Sequence, residues 1–156
     1  MLTGSNNGVG MQKKIVSNDI LVPEIARLVA EGSKVAFTPK GVSMLPFIRG
    51  DRDTVLLAPP VSLNKWDIVL AKAGKSYVLH RIIDLREEEL ILMGDGNLIG
   101  VERCRPQDVI AVAEKIIKGK KEIDCHSKWF MRQTCIWQKL KPLRRWILAI
   151  YKRIFL

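Results

Sequence analysis

Between Lys34 and Ile117 the chain consists of short apolar runs that alternate with turn-forming residues, and this rhythm limits the fold more than any other feature. Pro59-Pro60 and Asn64-Lys65 interrupt the runs, as expected for turns. Runs of this kind at a spacing of roughly 8–12 residues are typical of all-β sandwiches and barrels. We therefore predict a mainly β protein with a compact, coiled, all-β fold of barrel type. The six predicted strands are Lys34–Phe37, Thr54–Leu57, Ile68–Ala71, Tyr77–Ile83, Leu90–Met93 and Asp108–Ile117.

A helix is predicted immediately before this β region. Val22, Ile25, Leu28 and Val29 recur at helical spacing, and Gly32 ends the pattern. Such a helix is expected to pack over one edge of the sheet, and a role in docking a substrate is the alternative.

The chain is long enough for one domain with a small appendage. Residues 1–14 are predicted to be a flexible leader, because the first ten are polar and rich in glycine. We predict that residues 15–117 form the main domain and that residues 118–156 form a basic, amphipathic, helical tail.

Positive charge is concentrated in that tail. Lys118 to Leu156 holds eleven Lys and Arg residues against two acids, so it carries +9 of the formal net charge of +10. Three of the four tryptophans lie there as well. We predict two tail helices, 127–138 and 143–155, because Pro142 is tolerated in the first turn of a helix.

The second tail helix is amphipathic and leaves two interpretations open. A basic amphipathic helix with aromatic and aliphatic residues can lie in a membrane interface, so an anionic membrane surface is one expected partner. Docking of the same apolar side onto the domain is the other interpretation. Its charges alternate with Ile, Leu and Trp in a helical period, which suits lipid better than a phosphate backbone, so no nucleic-acid partner is expected. On a helical wheel the apolar side holds Leu143, Trp146, Ile147, Ile150 and Ile154, opposite Lys141, Arg145 and Lys152.

The sequence predicts neither a secretory signal nor a membrane-spanning segment. Residues 1–10 lack an apolar core. No apolar run approaches the ~18–20 residues that a spanning helix needs. We expect a cytoplasmic protein, either free or peripheral to the inner membrane.

Metal binding is not expected. Cys104, Cys125 and Cys135 lack the spacing of a disulfide framework or of a zinc site. Cys125-His126 could supply two ligands, but the chain has only two histidines. Free thiols fit a reducing compartment.

A serine, a histidine and later acids within the β region carry the main functional signal. Ser43 lies in Gly41-Val42-Ser43-Met44-Leu45-Pro46, and Gly50-Asp51 follows. His80-Arg81 comes about forty residues later, and then Gly94-Asp95-Gly96-Asn97, with Glu102 as the nearest later acid. Serine is a weak nucleophile, so it needs a neighbouring base and that base needs an orienting group. Histidine can act as such a base at neutral pH.

These segments resemble the superfamily of type I signal peptidases and LexA-type self-cleaving repressors, from about Val35 to Ile117. The bacterial signal peptidases and the repressors use a lysine as the base. In the endoplasmic-reticulum and archaeal signal peptidases a histidine followed by arginine takes that place, and His80-Arg81 is similar to this branch. The Gly-Asp-Asn-Asn segment of that branch reads Gly-Asp-Gly-Asn here, with Glu102 shifted by about one position from the expected aspartate.

The resemblance implies a role for each of these residues. Ser43 would be the nucleophile and His80 the general base, with Asp95 or Glu102 as the orienting acid. Many signal peptidases carry a second serine at the position of Gly41, so an oxyanion hole here would depend on backbone N–H groups, chiefly that of Ser43. The substrate-binding residues implied are Gly41, Met44, Leu45 and Pro46.

The predicted function is therefore that of a serine endopeptidase without a cofactor. The resemblance implies a peptide or precursor-protein substrate that binds as an extended strand, with small side chains before the cleaved bond. One alternative is a LexA-like self-cleaving regulator, although only about thirty residues precede Val35 for a DNA-reading unit. Another is a non-catalytic binding module that its basic tail tethers to membrane or nucleic acid.

Overall fold

The computed structural model describes residues 18–156, which form one curled, antiparallel half-barrel sheet with three helices. The leader predicted at 1–14 lies outside the described residues. The strands are β1 (Val35–Phe37), β2 (Thr54–Ala58), β3 (Ile68–Ala73), β4 (Ser76–Leu85), β5 (Leu90–Met93), β6 (Glu102–Cys104), β7 (Val109–Lys118) and β8 (Lys121–Asp124). The helices are α1 (Asn18–Ala30), α2 (Lys128–Lys139) and α3 (Arg144–Phe155), and short 3-10 turns occupy Pro106–Asp108 and Lys141–Leu143.

The strands follow the order β1-β2-β7-β3-β4-β5-β6 across the sheet, and β8 pairs with the end of β7. The six predicted strands and the mainly β class are confirmed. Two further strands, β6 and β8, were not predicted. Because β8 pairs with β7 from Lys115 to Lys118, the segment 118–124 belongs to the sheet, and the prediction that a helical tail starts at residue 118 is wrong.

Alternation along the strands divides the core between the two faces of the sheet. Side chains of a strand point alternately to opposite faces. In β3, Ile68 and Leu70 join the larger apolar cluster, whereas Val69 and Ala71 join the smaller one on the other face. Full burial of each large aliphatic side chain contributes about 1.5–3 kcal/mol, so this double-sided strand anchors the sheet.

Helix α1 packs on the larger cluster. Val22, Ile25 and Val29 are buried there, spaced by three and four residues as one helical face requires. Its predicted packing role is confirmed. Val22 also borders the cleft described below, so α1 lies next to that cleft.

Helix α2 packs on the larger core cluster through Phe130, and α3 packs on Trp137 of α2 and on Leu45 of the serine turn. The Ser127 hydroxyl caps α2 by accepting a hydrogen bond from the N–H of Phe130. In α3 the buried residues are Arg144 and Leu148. Ile147 is the one member of the apolar side named in the sequence analysis that packs on the domain, and the other four members remain exposed. Within residues 18–156, every helix is too short or too polar to cross a bilayer.

Candidate active site

Ser43 lies in a tight turn after β1, and glycines allow two neighbouring loops to approach that turn closely. A Cβ on Gly50 would overlap the carbonyl oxygen of Gly41, and one on Gly96 would overlap that of Val42. The N–H of Gly96 donates to the carbonyl of Ser43 at 2.8 Å. Gly50 and Gly96 are therefore required for close packing, since any side chain there would push the serine turn away.

Ser43 and His80 border the same cleft. The cleft has a volume of about 150 Å³, and Gly41 and Met44 also line it. Ser43 is partly exposed, whereas only 6% of His80 is exposed. The nucleophile and base that the sequence predicted are therefore brought to one place. The remaining walls come from α1, the end of β1, the β1–β2 connection, β3 and the first part of β4: Val22, Phe37, Pro39, Lys40, Ile48, Gly50, Leu70, Tyr77, Val78 and Leu79.

Two of the residues predicted to bind substrate lie elsewhere. Leu45 is fully buried in a cluster with Trp137 of α2 and Leu148 of α3. Pro46 lines a separate groove beside α2. The turn therefore presents Ser43 and Met44 to the cleft, while the next two residues face the tail helices.

Glu102 is the acid that contacts the histidine. Its Oε2 atom lies 2.8 Å from Nδ1 of His80. The strand registers explain the contact, because Ile82 pairs with Leu92 and Leu92 pairs with Glu102. Ile82 is two residues from His80 in β4, so alternation places His80 and Glu102 on the same face of the sheet. An ionised carboxylate can only accept a hydrogen bond, so Nδ1 is the donor in this contact, and a neutral ring in this orientation has its lone pair on Nε2.

Asp95 has a different partner. Its two carboxylate oxygens accept hydrogen bonds from Nε and Nη2 of Arg81, each at 2.8 Å, and both side chains are buried. Asp95 therefore does not orient His80, and of the two acids left open by the sequence it is Glu102 that contacts the histidine. Because His80 and Arg81 are consecutive in β4, their side chains point to opposite faces, and Asp95 lies on the face of the arginine.

The tail helices support this arrangement in a way that the sequence analysis missed. Nε1 of Trp137 donates to the carbonyl of Asp95 at 2.9 Å. The guanidinium of Arg81 lies 5.0 Å from the ring centroid of Phe47 and 5.6 Å from that of Phe130. Tryptophan commonly finds a partner for its N–H when it is buried, but the sequence could not identify a carbonyl 42 residues away.

One edge of the cleft has unpaired strand backbone. Residues 76–80 of β4 pair with β3, and β5 begins to pair with β4 only at Arg81. Within the described part of the chain, the first half of β4 therefore has a strand neighbour on one side alone. An extended peptide can add to such an edge through main-chain hydrogen bonds.

The cysteines and the second histidine lie away from this cleft. Cys125 is buried, and burial raises the pKa of its thiol to about 12. Nε2 of His126 lies 3.4 Å from Oδ1 of Asp67. No group of three or more metal-ligating side chains gathers within residues 18–156.

Comparison of the chain with protein-family models, with curated proteins and with solved structures finds no match. The likeness to peptidases therefore depends on the motif residues and on their geometry.

Proposed function

We propose that this chain is a serine endopeptidase of the signal-peptidase/LexA-like type, with Ser43 as nucleophile and His80 as general base. The observation that supports the proposal most strongly is the shared cleft of Ser43 and His80, together with the 2.8 Å contact between His80 Nδ1 and Glu102. A nucleophile, a base and an orienting acid from three separate parts of the chain are the components of a serine hydrolase. The curled β sheet is compatible with the barrel fold of this superfamily, which we include in the proposal.

In the proposed reaction, Ser43 Oγ attacks a peptide carbonyl while His80 Nε2 accepts the serine proton. His80 then donates that proton to the leaving amine, and water releases the acyl group from Ser43 by the same steps in reverse. Glu102 holds the ring and stabilises the imidazolium that forms between the two transfers.

The oxyanion would be stabilised by backbone donors. Within residues 18–156 the N–H of Ser43 donates to no backbone carbonyl, and we assign it as the donor to the oxyanion. Removal of one donor of this kind costs about 10²- to 10³-fold in turnover in a serine protease. Gly41 brings no hydroxyl to this position, which leaves the backbone as the source.

The substrate class follows from the shape of the cleft. The unpaired edge of β4 at residues 76–80 suits an extended segment that joins the sheet as an extra strand. The cleft of about 150 Å³, with apolar walls from Leu70 and Met44, suits small apolar side chains. We propose a flexible segment of a peptide or precursor protein as the substrate.

We also propose that the enzyme works while bound to the surface of a membrane. The tail supports this location, because it joins a strong positive charge to exposed apolar residues.

A peptide-library experiment tests the activity. The purified chain is incubated with a complex mixture of peptides, and new termini are identified by mass spectrometry. We expect cleavage after small side chains by the wild type and none by Ser43→Ala. Absence of new termini with both proteins would favour a non-catalytic binding module. Cleavage of the chain itself, at a rate independent of its concentration, would favour the self-cleaving regulator.

A further inference from the structure

The exposed side of α3 carries an apolar strip that the fold does not use. Leu143, Trp146, Ile150 and Ile154 are 52%, 67%, 61% and 67% exposed. They recur at spacings of three and four residues, so they lie along one side of the helix. We call these four residues the α3 outer strip.

The docking of α3 on the domain is complete without this strip. Arg144 and Leu148 are buried, and Ile147 and Tyr151 pack partly against the cluster of Leu45, Trp137 and Leu148. The inner side of the helix therefore holds it in place, and the outer strip stays in water at a cost in free energy. An apolar strip with this position is typical of an interaction surface.

The charges around the strip indicate the chemistry of its partner. Residues 125–156 contain eight Lys and Arg residues and no Asp or Glu. Arg144 is buried, but Arg145, Lys152 and Arg153 are exposed on α3, and the Arg145 guanidinium lies 5.9 Å from the ring centroid of Trp146. A short helix that carries both an apolar strip and several exposed cations matches a surface whose interior is hydrocarbon and whose headgroups are negative.

We propose that the α3 outer strip binds an anionic lipid bilayer, with the helix lying parallel to the membrane plane. Ile150 and Ile154 enter the boundary between headgroups and acyl chains, and Trp146 lies at headgroup depth, where tryptophan is enriched. The exposed cations contact lipid phosphates, and Leu148 keeps the domain attached to the inner side of the helix. The inference deepens the proposed location and does not depend on catalysis by Ser43.

Vesicle co-sedimentation tests the inference directly. Full-length protein carrying Ser43→Ala is mixed with vesicles of phosphatidylcholine alone or of phosphatidylcholine with phosphatidylglycerol. We expect binding to the anionic vesicles, weaker binding as salt rises, and little binding to the neutral ones. Absence of binding to anionic vesicles at low salt would overturn the inference, whatever the wild type does to peptides.

Two sets of substitutions locate the surface. We expect Trp146→Ser with Ile150→Ser and Ile154→Ser to reduce partitioning by roughly a hundredfold or more, because three apolar side chains no longer enter the bilayer. Since all three residues are exposed, the melting temperature should be unchanged. Val61→Ser, at a residue that is 93% exposed outside the tail, is the matched control and should bind as before.

The charge set is Arg145→Gln with Lys152→Gln and Arg153→Gln. About 1 kcal/mol for each cation near an anionic leaflet predicts a loss of roughly a hundredfold at low salt. Arg52→Gln with Lys72→Gln and Lys75→Gln removes as many exposed cations elsewhere, and should have a smaller effect. If the apolar triple variant binds anionic vesicles as well as the protein with the intact strip does, the inference is overturned. It is also overturned if the protein forms a dimer in solution that the triple variant abolishes, because the strip would then bind a second copy of the chain.

Discussion

His80 and Glu102 lie 2.8 Å apart across three strands, through the Nδ1 atom of the imidazole and Oε2 of the carboxylate. The side chain of Glu102 is 31% exposed, whereas that of His80 is 7% exposed, so the carboxylate is the member of the pair that reaches solvent. The contact fixes which ring nitrogen is free to accept a proton. It also distinguishes Glu102, which contacts the histidine, from Asp95, which forms a buried ion pair with Arg81.

Glu102→Gln should reduce turnover strongly and stability little. The amide can donate to Nδ1 and so favours the wrong tautomer, and positioned acid–base groups contribute on the order of 10²- to 10⁴-fold. Turnover of a cleaved library peptide and the urea midpoint are the two measurements. Unchanged turnover with the folded variant would remove Glu102 from the site.

Asp95→Asn should reduce stability strongly, in contrast to Glu102→Gln. It removes the negative charge opposite Arg81, whose side chain is fully buried, and a buried charge without its partner costs about 3–5 kcal/mol. We expect a large drop in the free energy of unfolding in urea. Asp84→Asn, at an exposed ion pair with Arg86, is the control and should change stability by less than about 1 kcal/mol. A stable Asp95→Asn protein would show that the pair is not structural.

Ser43→Ala and His80→Ala should each abolish peptide cleavage, and the double variant should be no worse. When a nucleophile and its base act as one unit, removal of either one abolishes the rate enhancement of both, so the losses in rate do not add. Circular dichroism should show the wild-type fold in both single variants. Cleavage at a near wild-type rate by either one would disprove the assignment.

Trp137→Phe should destabilise the protein by about 1–3 kcal/mol, because the Asp95 carbonyl loses its donor while remaining buried. Trp129 lies on the same helix but is 53% exposed. Trp129→Phe is therefore the matched control, and we expect a change within about 0.5 kcal/mol. Equal effects of the two substitutions would mean that the hydrogen bond to Asp95 contributes little.

Thiol labelling should report the burial of the cysteines. Cys135 is exposed, whereas burial raises the pKa of Cys125 to about 12 and also raises that of Cys104. The thiolate is the reactive form, so a raised pKa and poor access both slow alkylation. At pH 8 we expect iodoacetamide to modify Cys135 alone in the folded protein and all three cysteines in urea. Rapid labelling of Cys125 before unfolding would contradict this packing.

The sequence was sufficient to predict the elements that have a strong local pattern. The six predicted apolar runs are strands, and the apolar spacing in α1 and the tail is helical, because burial requires these periods. β6 and β8 escaped prediction because they are short and mostly charged. β6 is stabilised by pairing with β5, and β8 by pairing with β7. Neither strand has an alternating apolar pattern of its own that would predict it.

The choice between Asp95 and Glu102 could not be made from the sequence, for a similar reason. Both acids follow His80 at plausible distances along the chain. Only the register of β4, β5 and β6 decides which one reaches the face of the histidine. The docking side of α3 likewise depends on Leu45, which lies about a hundred residues before the helix in the sequence.

The hydrogen bond from Trp137 to the Asp95 carbonyl has a consequence for the order of events during synthesis. Trp137 follows Asp95 by 42 residues, and a chain folds from its N-terminal part first as the ribosome makes it. The turn with Ser43 and the strands with His80 and Glu102 are therefore made before the side chain that completes the support of their loops. If the proposed hydrolase activity is real, we expect a nascent chain to acquire it late. Such a delay would keep the candidate site inactive while unfolded segments of the same chain are still within its reach.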